Sequence, residues 1–122
     1  EKLITADGKE YPMAGAITGV CEKKERLIRF GYVTIEPEQG QEGLLRQGEQ
    51  IRGHEFHYFD STNNGCDCIA GKPVGKRSWT CIHADRSHFI GFPHLYYPSC
   101  PDFVINFVEQ CRNWNRKRKG AK

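Results

Sequence analysis

The densest group of chemically active side chains is the segment 52–58, Arg-Gly-His-Glu-Phe-His-Tyr. Because side chains alternate along a β-strand, His54, Phe56 and Tyr58 share one face. Glu55 and His57 share the other face. A strand therefore keeps the two histidines from binding one metal ion, and the segment lacks the His-Glu-x-x-His spacing of zinc-binding helices. Buried polar groups in such an aromatic strand need hydrogen-bond partners, and clusters of this kind often line functional sites.

A second candidate for chemistry is His94, in the segment 91–97, Gly-Phe-Pro-His-Leu-Tyr-Tyr. We predict that it ends an apolar strand just before a loop, where the rim of a sheet holds a general base rigidly. A lone histidine in such a place is more often structural, and the residues alone favour that interpretation. A histidine that serves as the base for a thiol needs a cysteine nucleophile within reach.

The cysteines offer either a nucleophile or a metal site. There are six: Cys21, Cys66, Cys68, Cys81, Cys100 and Cys111. None has the small flanking residues of a nucleophile elbow, so we expect no nucleophile in this chain. An irregular zinc site could use Cys66, Cys68, Cys81 and His83, although the Cys66–Cys68 spacing is tighter than in the usual ligand pair. We favour free thiols in a reducing cytoplasm, with no bound metal.

Short strands and one helix must position these groups. Runs of β-branched and aromatic residues between turn residues predict strands over 26–36, 50–59, 66–70, 77–83 and 87–94. The Asn-Gly and Gly-rich turns between them predict antiparallel hairpins in the middle of the chain. Pro101 and the three- to four-residue spacing of apolar side chains from Phe103 to Trp114 predict an amphipathic helix packed on the core.

The predicted helix ends in a basic segment. It contains five cations: Arg112, Arg116, Lys117, Arg118 and Lys119. Cations at a helix C-terminus complement the helix dipole. We therefore favour a solvated helix end with a frayed tail over an RNA or membrane patch. The net charge of +3 is too small to indicate nucleic-acid binding on its own, so no nucleic-acid partner is expected.

The composition is that of a globular domain, with 38% hydrophobic and 27% charged residues. No apolar run approaches the roughly 20 residues of a membrane-spanning helix, and no apolar signal segment follows Glu1. We therefore expect a cytoplasmic protein with no membrane partner. The chain opens without Met in what resembles the middle of a fold, so we expect residues 1–122 to be one portion of a longer protein.

Three segments together resemble one family of enzymes. They are 11–15 (Tyr-Pro-Met-Ala-Gly), 52–58 and 93–97 (Pro-His-Leu-Tyr-Tyr). They are similar to the C-terminal part of the class I (triad) glutamine amidotransferase domain of cobyrinic acid a,c-diamide synthases. The resemblance extends from Leu3 to Trp114. It implies an α/β fold, partly flavodoxin-like, with a hairpin-rich middle and a C-terminal helix.

The resemblance also implies a division of labour. In this family a glutaminase domain releases ammonia from glutamine with a cysteine nucleophile and a histidine base. An ATP- and Mg²⁺-dependent synthetase domain then amidates the a and c carboxylates of a corrin. His94 falls at the position of the catalytic histidine, with His54, Glu55 and His57 beside it. The family's nucleophile lies before residue 1, so we expect the chain alone to be inactive and to hold no cofactor.

The match departs from the family in one informative place and leaves alternatives open. Other triad amidotransferases have Glu two residues after the histidine, where this chain has Tyr96. The residue that orients His94 therefore stays open, with Glu55 as one candidate. A nickel-sirohydrochlorin a,c-diamide synthase shares the same motifs, and a non-catalytic metal-binding module is a further hypothesis. The expected partners are glutamine and, through the synthetase domain, a corrin; a homodimer stays open.

Overall fold

The computed structural model describes residues 1–120 and consists mostly of short strands. A one-turn 3₁₀ helix (Tyr97–Ser99) precedes the single α-helix, α1 (Pro101–Gly120). In chain order the strands are β1 (Lys2–Ile4), β2 (Glu10–Pro12), β3 (Val20–Lys23), β4 (Arg29–Pro37), β5 (Ile51–His57), β6 (Phe59–Ser61), β7 (Cys68–Gly71), β8 (Ser78–Cys81), β9 (His83–Ala84), β10 (Phe89–Ile90) and β11 (His94–Tyr96). Within residues 1–120, no helix has the length and apolar character needed to cross a membrane.

The central sheet has five strands in the order β11-β5-β4-β7-β8, and every neighbouring pair is antiparallel. Its longest pair, β4 and β5, follows the predicted alternation, since Val33 and Ile35 are buried while Tyr32 is exposed. The register places Val33 opposite Gly53 and Ile35 opposite Ile51. One face of the sheet therefore packs on the core and the other faces solvent.

A smaller sheet, in the order β2-β1-β3-β6, continues where β5 ends. The predicted strand over 50–59 stops at His57, and after Tyr58 the chain enters β6 and pairs with β3 instead. Within this smaller sheet β1 and β3 run parallel. The strands β9 and β10 form a separate antiparallel ribbon. The chain therefore passes from the central sheet to the smaller sheet at Tyr58, between β5 and β6.

Two of the predicted strands are interrupted. The prediction over 77–83 breaks at Ile82, whose φ is 69°, and the prediction over 87–94 is divided into β10 and β11 by the bend 91–93. His94 consequently begins a strand rather than ending one. A left-handed backbone is rare for a β-branched residue. The carbonyl of Ile82 accepts a hydrogen bond from the N–H of Asp67 (3.0 Å), and Gly65 lies so close that a Cβ there would be 2.2 Å from it.

The helix α1 begins at Pro101, as predicted, and its first turns pack on the core. Phe103 is 5% exposed and contacts the rings of Phe89 and Tyr97, with centroids 5.0 and 6.0 Å apart. The buried Asn106 donates from Nδ2 to the carbonyl of Leu44 at 2.9 Å. These contacts fasten the helix to the β9–β10 ribbon, to the 3₁₀ helix and to the loop between β4 and β5.

After Phe103, the exposure of the apolar side chains of α1 departs from the prediction. Phe107 and Trp114 were expected to lie on the core, but they are 50% and 71% exposed. The basic segment is helical through Gly120 and is not a frayed tail. The apolar spacing predicted the helix correctly but its burial incorrectly. Spacing shows which side chains share a face of the helix, and it does not show how much of that face the rest of the chain covers.

The α/β class is confirmed at the coarse level, with hairpins in the middle and one helix at the C-terminus. A flavodoxin-like fold is built on a parallel sheet with helices on both faces. In the described residues the central sheet is antiparallel, and the parallel strand pair is β1 with β3. The flavodoxin-like assignment therefore stays a prediction.

Candidate active site

The predicted catalytic histidine lies on β11, the edge strand of the central sheet, directly beside His54. The antiparallel register places His94 opposite His54, so both side chains leave the same face. His94 is exposed, which leaves its imidazole open to a reacting group. The structure thus brings together two of the four predicted site residues. The catalytic role of His94 stays a prediction.

The two histidines stand among exposed aromatic side chains that we call the aromatic face. It comprises Phe30, Tyr32, Phe56, Tyr58 and Tyr96, which are between 40% and 74% exposed. The His54 ring packs edge-to-face against Phe30 and Tyr32, with centroids 6.1 and 5.6 Å apart. Contiguous apolar surface of this kind marks a place that binds a partner or another part of the protein.

Glu55 and His57 lie on the opposite, core-facing side of β5. Glu55 is 2% exposed, and the His57 side chain is 12% exposed. The strand alternation that we predicted holds, and it corrects the expectation of one shared site. His54 accompanies His94, whereas Glu55 and His57 do not. Glu55 is therefore not the residue that orients His94.

The core-facing pair opens onto a small cleft with a cavity volume of about 20 Å³. We call it the core-side cleft; its lining includes Arg29, Glu55, His57, Asp60, Asn64, Trp79 and Phe92. His57 Nδ1 lies 2.6 Å from the carbonyl of Phe59 and must donate to it, because a carbonyl only accepts. The imidazole stacks on Phe92 at 4.1 Å, and its Nε2 lies 3.5 Å from Glu55 Oε2.

Sequence reasoning missed Asp60 and Asn64 as members of this cleft. They lie in and just after β6, where an Asn-Gly pair indicated only a turn. Asn64 Nδ2 donates to Asp60 Oδ1 at 2.9 Å. The signal that could have identified them is the end of β5 at His57. The chain then enters β6 in the other sheet, and this change of sheet places Asp60 and Asn64 beside the core side of β5.

The cysteines do not supply an obvious nucleophile. Cys68 and Cys81 lie opposite each other on β7 and β8, both buried and both free. Burial raises the pKa of each thiol to about 12, and the thiolate is the reactive form. Cys100 directly precedes α1, but it is 7% exposed and its φ of −149° is ordinary extended backbone. Among the described cysteines, none lies on a strained strand-to-helix elbow.

The metal-module hypothesis gains no support from the geometry. Within residues 1–120, no group of three or more His, Cys, Asp or Glu side chains is arranged to hold a metal ion. Cys66 is exposed while Cys68 and Cys81 are buried. His83 Nε2 lies 3.2 Å from the carbonyl of Asn63, so it already has a backbone partner.

Comparison with known proteins supplies the family. Over 107 residues, 84% of this chain, it is 32% identical to the cobyrinate a,c-diamide synthase of Listeria innocua. Over 102 residues, 80% of the chain, it is 34% identical to the synthase of the same name from Fusobacterium nucleatum. The chain is related to the cobyrinate a,c-diamide synthases. The synthase of Caldanaerobacter subterraneus is 28% identical over 113 residues, 91% of the chain.

The similarity to cobyrinate a,c-diamide synthases confirms the resemblance drawn from segments 11–15, 52–58 and 93–97. Their name is that of an enzyme that forms amides on cobyrinate, in cobalamin biosynthesis. The alignments cover between 21% and 25% of these three relatives, so the chain spans about a quarter of their length. No protein-family model and no solved structure matches the chain.

Proposed function

We propose that this chain is the histidine-bearing, C-terminal portion of a glutaminase domain. The complete enzyme would be an ATP- and glutamine-dependent amidotransferase that converts the a and c carboxylates of cobyrinic acid to amides. His94 would be the general base of the glutaminase reaction. The nucleophilic cysteine would come from a segment that precedes residue 1.

The observation that carries this proposal is the setting of His94. Its imidazole is exposed on a rigid sheet edge, it lies opposite His54, and it stands beside the aromatic face. Aromatic side chains of this size are normally covered. A nucleophile-bearing segment that packs on the aromatic face would bury these rings and bring its thiol to His94. The relatives have the length for such a segment, since the chain spans about a quarter of theirs.

The proposed chemistry needs one proton acceptor at this position. The His94 imidazole takes the proton of the cysteine thiol, and the thiolate attacks the side-chain amide carbon of glutamine. The carbon–nitrogen bond breaks, and His94 returns the proton to the departing ammonia. A water molecule then hydrolyses the thioester to give glutamate. The aromatic face, once covered, would keep bulk water from the reacting atoms.

ATP and Mg²⁺ fit poorly with the residues described here. Mg²⁺ takes carboxylate oxygens and phosphate, and residues 1–120 hold no cluster of three or more His, Cys, Asp or Glu side chains arranged for a metal ion. We therefore place carboxylate activation in the part of the enzyme outside this chain. No step assigned to His94 involves the nucleotide.

The relatives favour cobyrinate over a nickel tetrapyrrole as the acceptor. The three that we describe are named for cobyrinate, and the described residues hold no feature that points to nickel-sirohydrochlorin instead. The acceptor would be bound by the synthetase part, so this chain contributes the ammonia and not the selection of the macrocycle.

Two preparations test the proposal: the 122-residue chain alone and the complete enzyme that contains it. The complete enzyme should release ammonia from glutamine and form the a,c-diamide of cobyrinate in the presence of ATP. The chain alone should release none, because it lacks the thiol partner of His94. Glutamine hydrolysis by the isolated chain that disappears on substitution of one of its own cysteines would contradict the proposal.

A further inference from the structure

The core-side cleft holds acceptor atoms that lack donors. Glu55 Oε2, His57 Nε2 and Asn64 Oδ1 are all buried, and none of the three makes a hydrogen bond to another described residue. A buried carboxylate without a hydrogen-bond or ion-pair partner destabilises the folded state. All three residues line the same cleft. We infer that this cleft is a binding site for ammonium or a comparably small protonated amine.

The tautomer of His57 is part of the inference. Because Nδ1 donates to the carbonyl of Phe59 at 2.6 Å, Nε2 of the neutral ring is an acceptor. It lies 3.5 Å from Glu55 Oε2, so when the ring is neutral two acceptors face each other. A ligand that only donates hydrogen bonds satisfies both atoms and has further N–H groups for Asn64 Oδ1.

The charges that line the cleft also call for one positive charge. Glu55 and Asp60 contribute two carboxylates, and Arg29 contributes one guanidinium. Arg29 lies in the same cleft, where its Nη1 donates to the carbonyl of Ile28 and its guanidinium lies 4.8 Å from the Trp79 ring centroid. In the described part of the chain, no ion pair joins Arg29 to Glu55. A single monovalent cation would neutralise the remaining charge.

The atoms that would contact a bound cation discriminate among cations. Alkali ions bind through oxygen ligands, whereas the acceptors of this cleft include the imidazole nitrogen of His57 beside the oxygens of Glu55 and Asn64. Residues 1–120 hold no group arranged for a divalent metal. Ammonium meets all of these conditions because its charge and its N–H donors occupy about the volume of one water molecule. The site lies on the opposite face of β5 from His94 and needs no glutaminase activity to be occupied.

Thermal unfolding of the 122-residue chain tests this site. We compare ammonium chloride, potassium chloride and tetramethylammonium chloride at equal ionic strength. Ammonium alone should raise Tm, by about 4–8 °C once its concentration exceeds its dissociation constant tenfold. In Glu55→Gln the ammonium-specific rise should disappear. In Glu25→Gln, which changes an exposed carboxylate, it should persist.

A direct observation keeps the test decisive where Glu55→Gln fails to fold. The unaltered chain is titrated with ¹⁵N-ammonium and followed by NMR. A bound ammonium whose protons exchange slowly, together with an unprotonated His57 Nε2, supports the site. Equal effects of potassium and ammonium would mean that the cleft holds water only. A doubly protonated His57 paired with Glu55 in the absence of ammonium, or Arg29 moved onto Glu55, would also overturn the inference.

Discussion

His94 and His54 show how one residue pair carries most of the functional argument. Their opposition across β11 and β5 fixes both imidazoles on one face, whatever rotamers they adopt. Tyr96, two residues on, shares that face and supplies no carboxylate to orient His94. His54 is the polar side chain that the register places nearest. Its edge-to-face contacts with Phe30 and Tyr32 hold its ring on this face, which suits a positioning role.

The buried thiols make a residue-scale prediction about reactivity. Near pH 8, Cys68 and Cys81 should resist iodoacetamide in the native chain, because burial raises the pKa of each to about 12. Cys66 and Cys111 are exposed and should be alkylated readily. Mass spectrometry of the labelled peptides, with the denatured chain as the control, distinguishes the two groups. Fast native labelling of Cys68 would show that this part of the sheet opens.

The same thiols give stability a dependence on alkaline pH. A thiol has an ordinary pKa of 9.0, and the native pKa of Cys68 and Cys81 is about 12. The unfolded chain therefore loses these protons first, so the free energy of unfolding falls as pH rises from about 9 to 12. Urea midpoints measured across this range should decline. The decline should be shallower in Cys68→Ala than in Cys66→Ala, whose parent thiol is exposed.

At the scale of elements, the break at Ile82 separates β8 from β9 and depends on Gly65. A Cβ at Gly65 would lie 2.2 Å from the Ile82 carbonyl, and the φ of Gly65 is 83°. Gly65→Ala should therefore lower the free energy of unfolding by about 3 kcal/mol or more, from steric overlap added to a left-handed backbone.

Gly75→Ala is the matched control for this prediction. Its φ is 93°, and an added Cβ would meet nothing within 4 Å. It should cost only about 1–2 kcal/mol, which is the backbone term alone. Denaturant unfolding of both variants separates the two contributions. Equal losses at the two positions would mean that Ile82 moves aside and that its strained conformation is not fixed by packing.

Local pattern predicted some elements well and others poorly, and the reasons are physical. The start of α1 at Pro101 and the alternation of β4 and β5 follow from signals within a few residues. The interruption at Ile82 depends on Gly65, seventeen residues earlier, and so leaves no local trace. The division of the predicted site has the same origin. Alternation separated Glu55 from His54, but only the register with β11 shows which of them His94 joins.

At the scale of the whole molecule, two observations point to the same conclusion. The aromatic face is exposed, and the chain matches only about a quarter of the length of its relatives. We expect the remainder of the enzyme to cover the rings of β4, β5 and β11. In the isolated chain, Phe56→Ala should change the free energy of unfolding by no more than about 1 kcal/mol, because Phe56 is 51% exposed. In the complete enzyme it should cost about 3–5 kcal/mol, the usual loss for a buried Phe.

Val74→Ala is the control for the aromatic face. Val74 is 89% exposed and lies in the turn after β7, so its truncation should be neutral in both preparations. Thermal unfolding of Phe56→Ala, of Val74→Ala and of the unaltered protein, each in both preparations, gives the comparison. A Phe56→Ala loss of the same size in the chain and in the complete enzyme would show that this face stays open to solvent.

The central claim is that His94 acts as the base of a glutaminase. The most direct test is the ratio of the glutamine-dependent rate of amidation to the ammonia-dependent rate. In the complete enzyme, the rate of cobyrinate amidation is measured with glutamine and with free ammonia for the unaltered protein, for His94→Ala, and for His88→Ala as a control. His88 is an exposed histidine whose backbone N–H donates to Asp85 Oδ1, and we assign it no role in the reaction. His94→Ala should lower the glutamine-dependent rate about 10²–10⁴-fold and leave the ammonia-dependent rate nearly unchanged, because ammonia bypasses the step that needs the base. A parallel fall of both rates would contradict the account and make His94 a residue that holds the fold.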